Sequence, residues 1–531
     1  MLDRTLKNCD VVSSSNIGKK EDYLFLCNHI ASCIKTNNKP NRLYINFVNT
    51  QLGESASKPT IDDIEGYKRH CGFPSYEGHL TDNERSALDQ LNSLKTGEFF
   101  AIKSTDSNGK YKIIKSMVFN NYIYEALGDG PAPVIVYSGN DDSVKEILES
   151  FKSLERTDSD NILYKHWIEN VNSTATYIND EYTGKEYQHI TKDGKGFMTK
   201  IDNIKTIEEN KNKFMYNCFL VFNQSFNDLT TCKDTLHSRL YQLEDTKKRL
   251  IETLVKLKEK GISLEYTTDL RKKLEDKIKS LKDEEDKLSS RLNEWKEYFD
   301  NLPKSFKFLM KKKIEERFNN FIKDDERDGI TLDSSFEDVD RYYNNKITET
   351  QSRNKDLLND EHLKLSIFEL FDIFKKNGVD IEDRITSFEL SEVNKVMDST
   401  VRYHQIWYAI HYYECRWLMG EFSMKENFMH SITRDAINRR YRRLSMISPL
   451  LVMQFEDLPH NFYAYVSEDR PISPIHDFID LLILDNAEGM QAGIGANAFY
   501  LAKQAVVIGT EEKEDDCLLK VAGQINLVNI D

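Results

Sequence analysis

Phe478-Ile-Asp-Leu481-Leu482-Ile483-Leu484-Asp485-Asn486-Ala487 is the stretch on which the fold of this 531-residue chain turns. Its centre, Leu481 to Leu484, is apolar without alternation, which is what a strand covered by helices on both faces requires. Ala505-Val-Val-Ile-Gly509-Thr510 is a second run of the same kind. Both end in small or acidic residues, and the carboxyl edge of a parallel sheet is where ligands bind. Earlier in the chain, Phe99-Phe-Ala-Ile-Lys103 and Pro133-Val-Ile-Val-Tyr-Ser-Gly-Asn140 read as two more such strands. A helix follows each of them, from about Ile113 to Leu127 and from Ser143 to Phe151. Strands alternating with helices predict an α/β sheet of parallel strands.

Composition sets the wider limits. The chain is long enough for roughly two to four domains. With 39% hydrophobic, 11% aromatic and 30% charged residues it is a folded protein with much charged helix surface. A net charge of −15 excludes a general polyanion binder, so nucleic-acid contact would have to come from local basic patches. Eight cysteines are scattered with no C-x-x-C pair or zinc spacing, which predicts free thiols in a reducing cytoplasm. The N-terminus has no apolar leader, and no stretch approaches the roughly 20 apolar residues of a membrane span, so no membrane partner is expected.

Residues 1 to 75 read as an α/β extension, with a helix over Asp22–Lys35 and a strand over Arg42–Val48. Thr81 is the expected N-cap of the helix that opens at Leu80-Thr-Asp-Asn-Glu84-Arg85.

The order of these pieces resembles the first RecA-like domain of a superfamily I helicase of the large bacterial AAA-domain type. In that family a Walker B strand ends in Asp-Glu-Ala-x-Gln, and the next strand ends in Gly-Asp-x-x-Gln. Here Asp485 keeps its place, while Asn486 stands at the catalytic Glu, Gly489 at the Gln, Thr510 at the Asp and Lys513 at the final Gln. Ser104-Thr-Asp-Ser-Asn-Gly109-Lys110-Tyr111 occupies the P-loop position. A working loop needs glycines to wrap phosphate, a Lys for the β/γ phosphates and a hydroxyl for magnesium. Gly109 and Lys110 remain, whereas Ser104 replaces the first Gly, Asp106 adds a negative charge and Tyr111 stands at the magnesium hydroxyl. Glu84 takes the place of the adenine-reading Gln, and a carboxylate only accepts hydrogen bonds. Asn140 matches the nucleic-acid-contacting motif Ia, beside the repelling Asp141 and Asp142. The Ser-Pro step at Ser448-Pro449 resembles the strand that precedes Walker B in the same proteins.

Residues 156 to 439 separate the two halves of the core and read as a helical insertion. Within about 228 to 302, Leu236, Leu240, Leu243, Leu250, Leu254 and Leu257 follow heptad spacing. Leu274, Ile278, Leu281, Leu288, Leu292, Trp295, Phe299 and Leu302 do the same beyond Lys260-Gly261. The pattern predicts an antiparallel coiled-coil hairpin projecting on the order of 45 Å; a single long helix pairing with another chain is the competing reading. Two basic runs, Lys304 to Arg317 and Arg434 to Arg443, are candidate phosphate contacts, Arg439, Arg440, Arg442 and Arg443 foremost. Thr400 to Met419 reads as a buried packing helix, in which His411 and Cys415 have metal spacing but no second ligand pair.

The expectation is therefore a RecA-like P-loop NTPase core with a parallel sheet, over 76–155 and 440–531, interrupted by the all-α insertion. Only 18 residues follow Lys513, so a second RecA-like domain is not expected. The function expected is that of a catalytically degenerate, cytoplasmic binding or scaffolding component of a nucleic-acid-associated complex. No cofactor is expected, with ATP and magnesium the candidates if the site is residually active, and no metal site is expected. Partners would be a protein, through the hairpin or the exposed RecA-like face, and weakly held single-stranded nucleic acid. The alternatives are one subunit of a split ATP-dependent helicase and a coiled-coil interaction protein mounted on the core.

Overall fold

The computed structural model describes residues 1–14, 20–51, 63–105, 107–154, 161–302, 311–425, 430–465, 472–510, 516–524 and 527–530. The chain divides into two units. The larger comprises Met1–Ile251, Phe374–Ile381 and Val393–Asp531, the smaller Glu252–Ile373 and Glu382–Glu392.

The larger unit is built on an eight-stranded sheet. Its strands are β1 (Phe99–Lys103), β2 (Ile135–Gly139), β3 (Ala175–Ile178), β4 (His189–Ile190), β5 (Leu450–Gln454), β6 (Leu481–Leu484), β7 (Ala505–Gly509) and β8 (Leu527–Asn529). The spatial order is β8-β1-β7-β6-β2-β5-β3-β4, and every pairing is parallel. All residues of β2, β6 and β7 are buried, which is why their sequences carry no alternation. The registers Lys103↔Gly509 and Ser138↔Leu484 bring the ends of β1, β7, β6 and β2 to one edge. The chain leaves β1 for β2, returns through β6 to β7, and crosses to β8 on the far side of β1. The connections leaving the neighbouring strands β1 and β7 therefore run in opposite directions along the sheet, the arrangement at which open α/β sheets form a crevice.

Three expectations change here. Arg42–Gln51 is a helix, not a strand. Leu43, Tyr44, Phe47 and Val48 recur at helical spacing and all are buried, while Asn41 accepts from the Tyr44 N–H at 3.1 Å as a cap. Four helices make up the described part of residues 1–75, and Phe47 packs edge-on against Phe499 (4.8 Å) and Phe99 (5.4 Å). Second, the span expected to be purely helical contributes β3 and β4 to the sheet. Third, Cys9 and Cys27 are joined as a disulfide between the first two helices, and the other six cysteines are free.

Tyr403–Leu418 is buried at every residue except Arg416, as a packing helix demands. His411 and Cys415 do not converge: His411 bonds Glu414 and the Leu163 carbonyl, and the Cys415 thiol donates to the Leu229 carbonyl. Among the described residues no group of three or more potential ligands could hold a metal ion.

The two long helices of the heptad region are Leu229–Glu259 and Leu270–Asp300, 31 residues each, with Gly261 at φ +67° between them. In the smaller unit Leu270–Asp300 runs antiparallel to Phe336–Lys376. Arg271 pairs with Asp372 (2.8 Å), Lys277 with Glu361 (2.6 Å) and Arg353 with Glu284 (2.8 Å). Its core gathers Trp295, Tyr298, Phe318, Ile322, Ile330, Val339 and Tyr343. At the centre lies the buried Glu326, held by Arg291 (2.6 Å), the Trp295 indole (3.3 Å), the Lys323 N–H (2.8 Å) and the Tyr343 hydroxyl. Lys304 and Lys307 of the first basic run lie outside the described residues; Lys311, Lys312 and Lys313 are exposed.

Candidate functional site

The crevice edge is where the sequence singled out its residues, and several of them meet there. Ser104 continues β1 by donating its N–H to the Gly509 carbonyl at 3.0 Å. The helix Ser107–Leu127 starts directly afterwards, placing Gly109, Lys110 and Tyr111 in its first turns. Lys110 is 9% exposed, and its Nζ lies 3.0 Å from Asp485 Oδ2 at the end of β6. The same carboxylate oxygen accepts the Tyr137 hydroxyl from β2 at 2.5 Å, and Oδ1 accepts the Asn486 N–H at 2.8 Å. Asp485 is thus saturated by partners from three elements. Removing one member of such a buried pair costs about 3–5 kcal/mol, because the other charge is left unpaired.

Tyr111 lies with its ring 4.7 Å from Lys110 Nζ and donates its hydroxyl to Glu146. Burial, then the Glu146 carboxylate, pushes the Tyr111 phenol well above its usual range. Burial and then Asp485 do the same to Tyr137, so both phenols stay protonated as donors. Tyr137 and Glu146 were not singled out from the sequence, since each is an ordinary residue of a strand or helix until the fold aims it.

Asn486 sits in the left-handed region at φ 58°, a conformation its short polar side chain tolerates, and its Oδ1 is buried without a hydrogen-bond partner. Glu488, two residues on, is the carboxylate that motif reading passed over. It is 7% exposed and accepts from both the Thr510 N–H (3.3 Å) and hydroxyl (3.2 Å). A Cβ on Gly509 would stand 2.5 Å from Glu488 Oε2, so this approach requires glycine at 509. Nothing lies within 4 Å of a Cβ built on Gly489. Asp106 and Lys513 lie outside the described residues.

Glu84 is buried and committed elsewhere. It closes a capping box with Thr81 and pairs with Lys112 at 2.9 Å. Asn140 caps Asp141–Ser150 by accepting the Ser143 N–H at 2.9 Å, and it is exposed.

The arginines divide by helix face. Arg434–Ser445 buries Ala436, Ile437, Arg440, Tyr441, Arg443 and Leu444, so Arg440 and Arg443 share the apolar face. Arg440 donates to the Lys192 (2.5 Å) and Ser431 (2.8 Å) carbonyls. Arg443 is bidentate to Asp202 (2.6 Å twice), donates to the Trp417 and Glu421 carbonyls, and lies 4.4 Å over the Trp417 ring. Arg442 holds Asp480 at 2.5 Å. Of the four, Arg439 alone is exposed, paired with Asp435 one turn away at 3.0 Å.

Compared with known proteins, the chain matches no protein-family model and no curated sequence.

Proposed function

We propose that the larger unit is a RecA-like core whose nucleotide site is filled by its own side chains, and that the protein serves as a binding or scaffolding component instead of an ATP-driven motor. The observation that carries this reading is the Lys110–Asp485–Tyr137 cluster. A phosphate would have to win Lys110 from a buried carboxylate, and a magnesium ion would have to win Asp485 from three donors. Tyr111, donating to Glu146, supplies no small hydroxyl to the metal. The strand that leads into the Lys110 helix and the strand that ends at Asp485 flank β7, an order that supports the RecA-like reading. The heptad helices of about 228–302 are the surface we assign to a protein partner.

Purified full-length chain is expected to hydrolyse ATP no faster than its Lys110→Ala variant, since the metal and positioned water supply most of the acceleration in P-loop enzymes. Magnesium-dependent turnover that Lys110→Ala abolishes would refute the proposal. One observation favours the split-motor reading in that event: Glu488 keeps a carboxylate at the same edge.

Single-stranded nucleic acid, if bound, is met by Arg439 and Asn140, the exposed members of the candidate set. Replacing Arg439 with alanine should then lower the salt slope of binding by about 0.7, one neutralised phosphate on a single strand. Titrations at several salt concentrations measure this, and a slope unchanged by Arg439→Ala would remove that residue from the interface.

A further inference from the structure

A cleft of about 570 Å³ lies at the other edge of the same sheet, among Lys152, Lys185, Tyr187, His189, Gly196 and Lys200. Gln188, which also lines it, immediately precedes β4, and Ser173 lies two residues before β3. Because every strand is parallel, this is the amino edge, opposite the Lys110 crevice.

Three properties mark it as a binding site. The first is charge. Lys185 and Lys200 have no carboxylate partner among the described residues, and Lys152, 2.6 Å from Glu149, also lies 4.6 Å over the Tyr187 ring. Glu186 is the one carboxylate among the lining residues and Glu149 is paired with Lys152, so three ammonium groups stand against two carboxylates in a chain of net charge −15. Unpaired cations converging on a concave surface focus an anion there.

The second is a wall fixed before any ligand arrives. The Gln188 amide donates to Thr176 Oγ1 (2.8 Å) and Ser448 Oγ (2.6 Å), both fully buried, and its carbonyl accepts the Asn172 N–H at 3.4 Å. His189 Nε2 donates to the Asn179 carbonyl at 2.7 Å. Gly196 closes the opposite side at φ +108°, where a Cβ would meet the His189 carbonyl at 2.6 Å. Such pinning lowers the ordering cost of binding.

The third is size, which falls within the roughly 300–1,000 Å³ of small-molecule pockets. The lining adds the Tyr187 and Phe197 rings and the Asn170 and Asn172 amides to the lysines.

We propose that this cleft binds a phosphate-bearing small molecule of up to nucleotide size, with Lys152, Lys185 and Lys200 meeting the phosphate groups. This inference is independent of the function proposed for the carboxyl edge.

Calorimetric titration of full-length protein with sodium pyrophosphate, then with ADP, both without divalent metal, tests it. Wild type and Lys110→Ala should bind pyrophosphate alike, and a Lys185→Gln/Lys200→Gln double variant should bind at least about tenfold more weakly, the scale of charge-assisted bonds to phosphate. ADP binding more tightly than pyrophosphate would show that the rings and amides hold a nucleoside; equal affinity would restrict the ligand class to the phosphate moiety. Both replaced lysines are exposed, and a cooperative melting transition above the titration temperature verifies that the double variant and Lys110→Ala, which leaves Asp485 unpaired, are both folded. No heat at about 1 mM ligand, equal affinity in the double variant, or loss of binding in Lys110→Ala instead would each overturn the proposal.

Discussion

Asp398→Ala is expected to destabilise the larger unit by about 3–5 kcal/mol, the cost of stripping one partner from a buried charge cluster. Asp398 is wholly buried. Its Oδ2 accepts from Arg85 at 2.6 Å and from the Leu80 N–H at 3.0 Å, and its Oδ1 accepts from Arg402 at 2.7 Å. Burial alone would favour its neutral form, but the two guanidinium groups outweigh it and hold the carboxyl well below the usual range. Without it, two buried guanidinium groups face each other. Arg402 also donates to the His70, Asn394 and Tyr67 carbonyls, so the damage reaches two further segments. Chemical denaturation, with amide exchange followed in Asp82–Asn92 and Tyr403–Leu418, is the measurement. A loss under about 1 kcal/mol would mean that the cluster relaxes or hydrates easily.

Acid should reveal a second buried carboxylate. Glu414 accepts from His166 (2.9 Å), His411 (2.8 Å) and the Trp167 N–H (3.3 Å), and His411 stacks on the Trp167 ring at 3.7 Å. Burial opposes its charge, yet the histidine bonds and charges hold it at about 2. A carboxyl whose folded value is depressed stabilises fully above its unfolded value, near 4.3, and loses that contribution as pH falls through the folded one. Between about pH 4.5 and pH 2 the wild type should therefore lose about 3 kcal/mol more than Glu414→Gln, which has no proton to take up there. Denaturation midpoints across that window decide the matter. Parallel curves for the two proteins would show that Glu414 is not ionised against the histidines.

Heptads in Leu229–Glu259 and Leu270–Asp300 were legible as helices because their spacing repeats over 31 residues each. Reading Arg42–Val48 as a strand failed for the complementary reason: a seven-residue stretch with five apolar residues fits both periods, and β-like composition tipped the choice. The basic run at Arg434–Arg443 misled because charge in a sequence does not say which face of a helix is covered. Arg443 is 1% exposed, its donors engaged by Asp202 and two carbonyls.

What the sequence determined by itself is the set of elements whose burial is uniform or whose caps are local. The strands Phe99–Lys103, Ile135–Gly139, Leu481–Leu484 and Ala505–Gly509, the Thr81 capping box and the parallel α/β class all belong to it. These signals lie within a few residues of one another, so a short window contains them. Tertiary structure alone decided the chemistry of the edge. Lys110 meets Asp485 across 375 positions, Tyr137 reaches the same carboxylate across 348, and Glu488 finds Thr510 across 22. It also paired Cys9 with Cys27 and drew β3 and β4 into the sheet. Hydrogen bonds and ion pairs act over about 3 Å of space whatever the separation along the chain, and only the folded backbone brings their two halves within that distance.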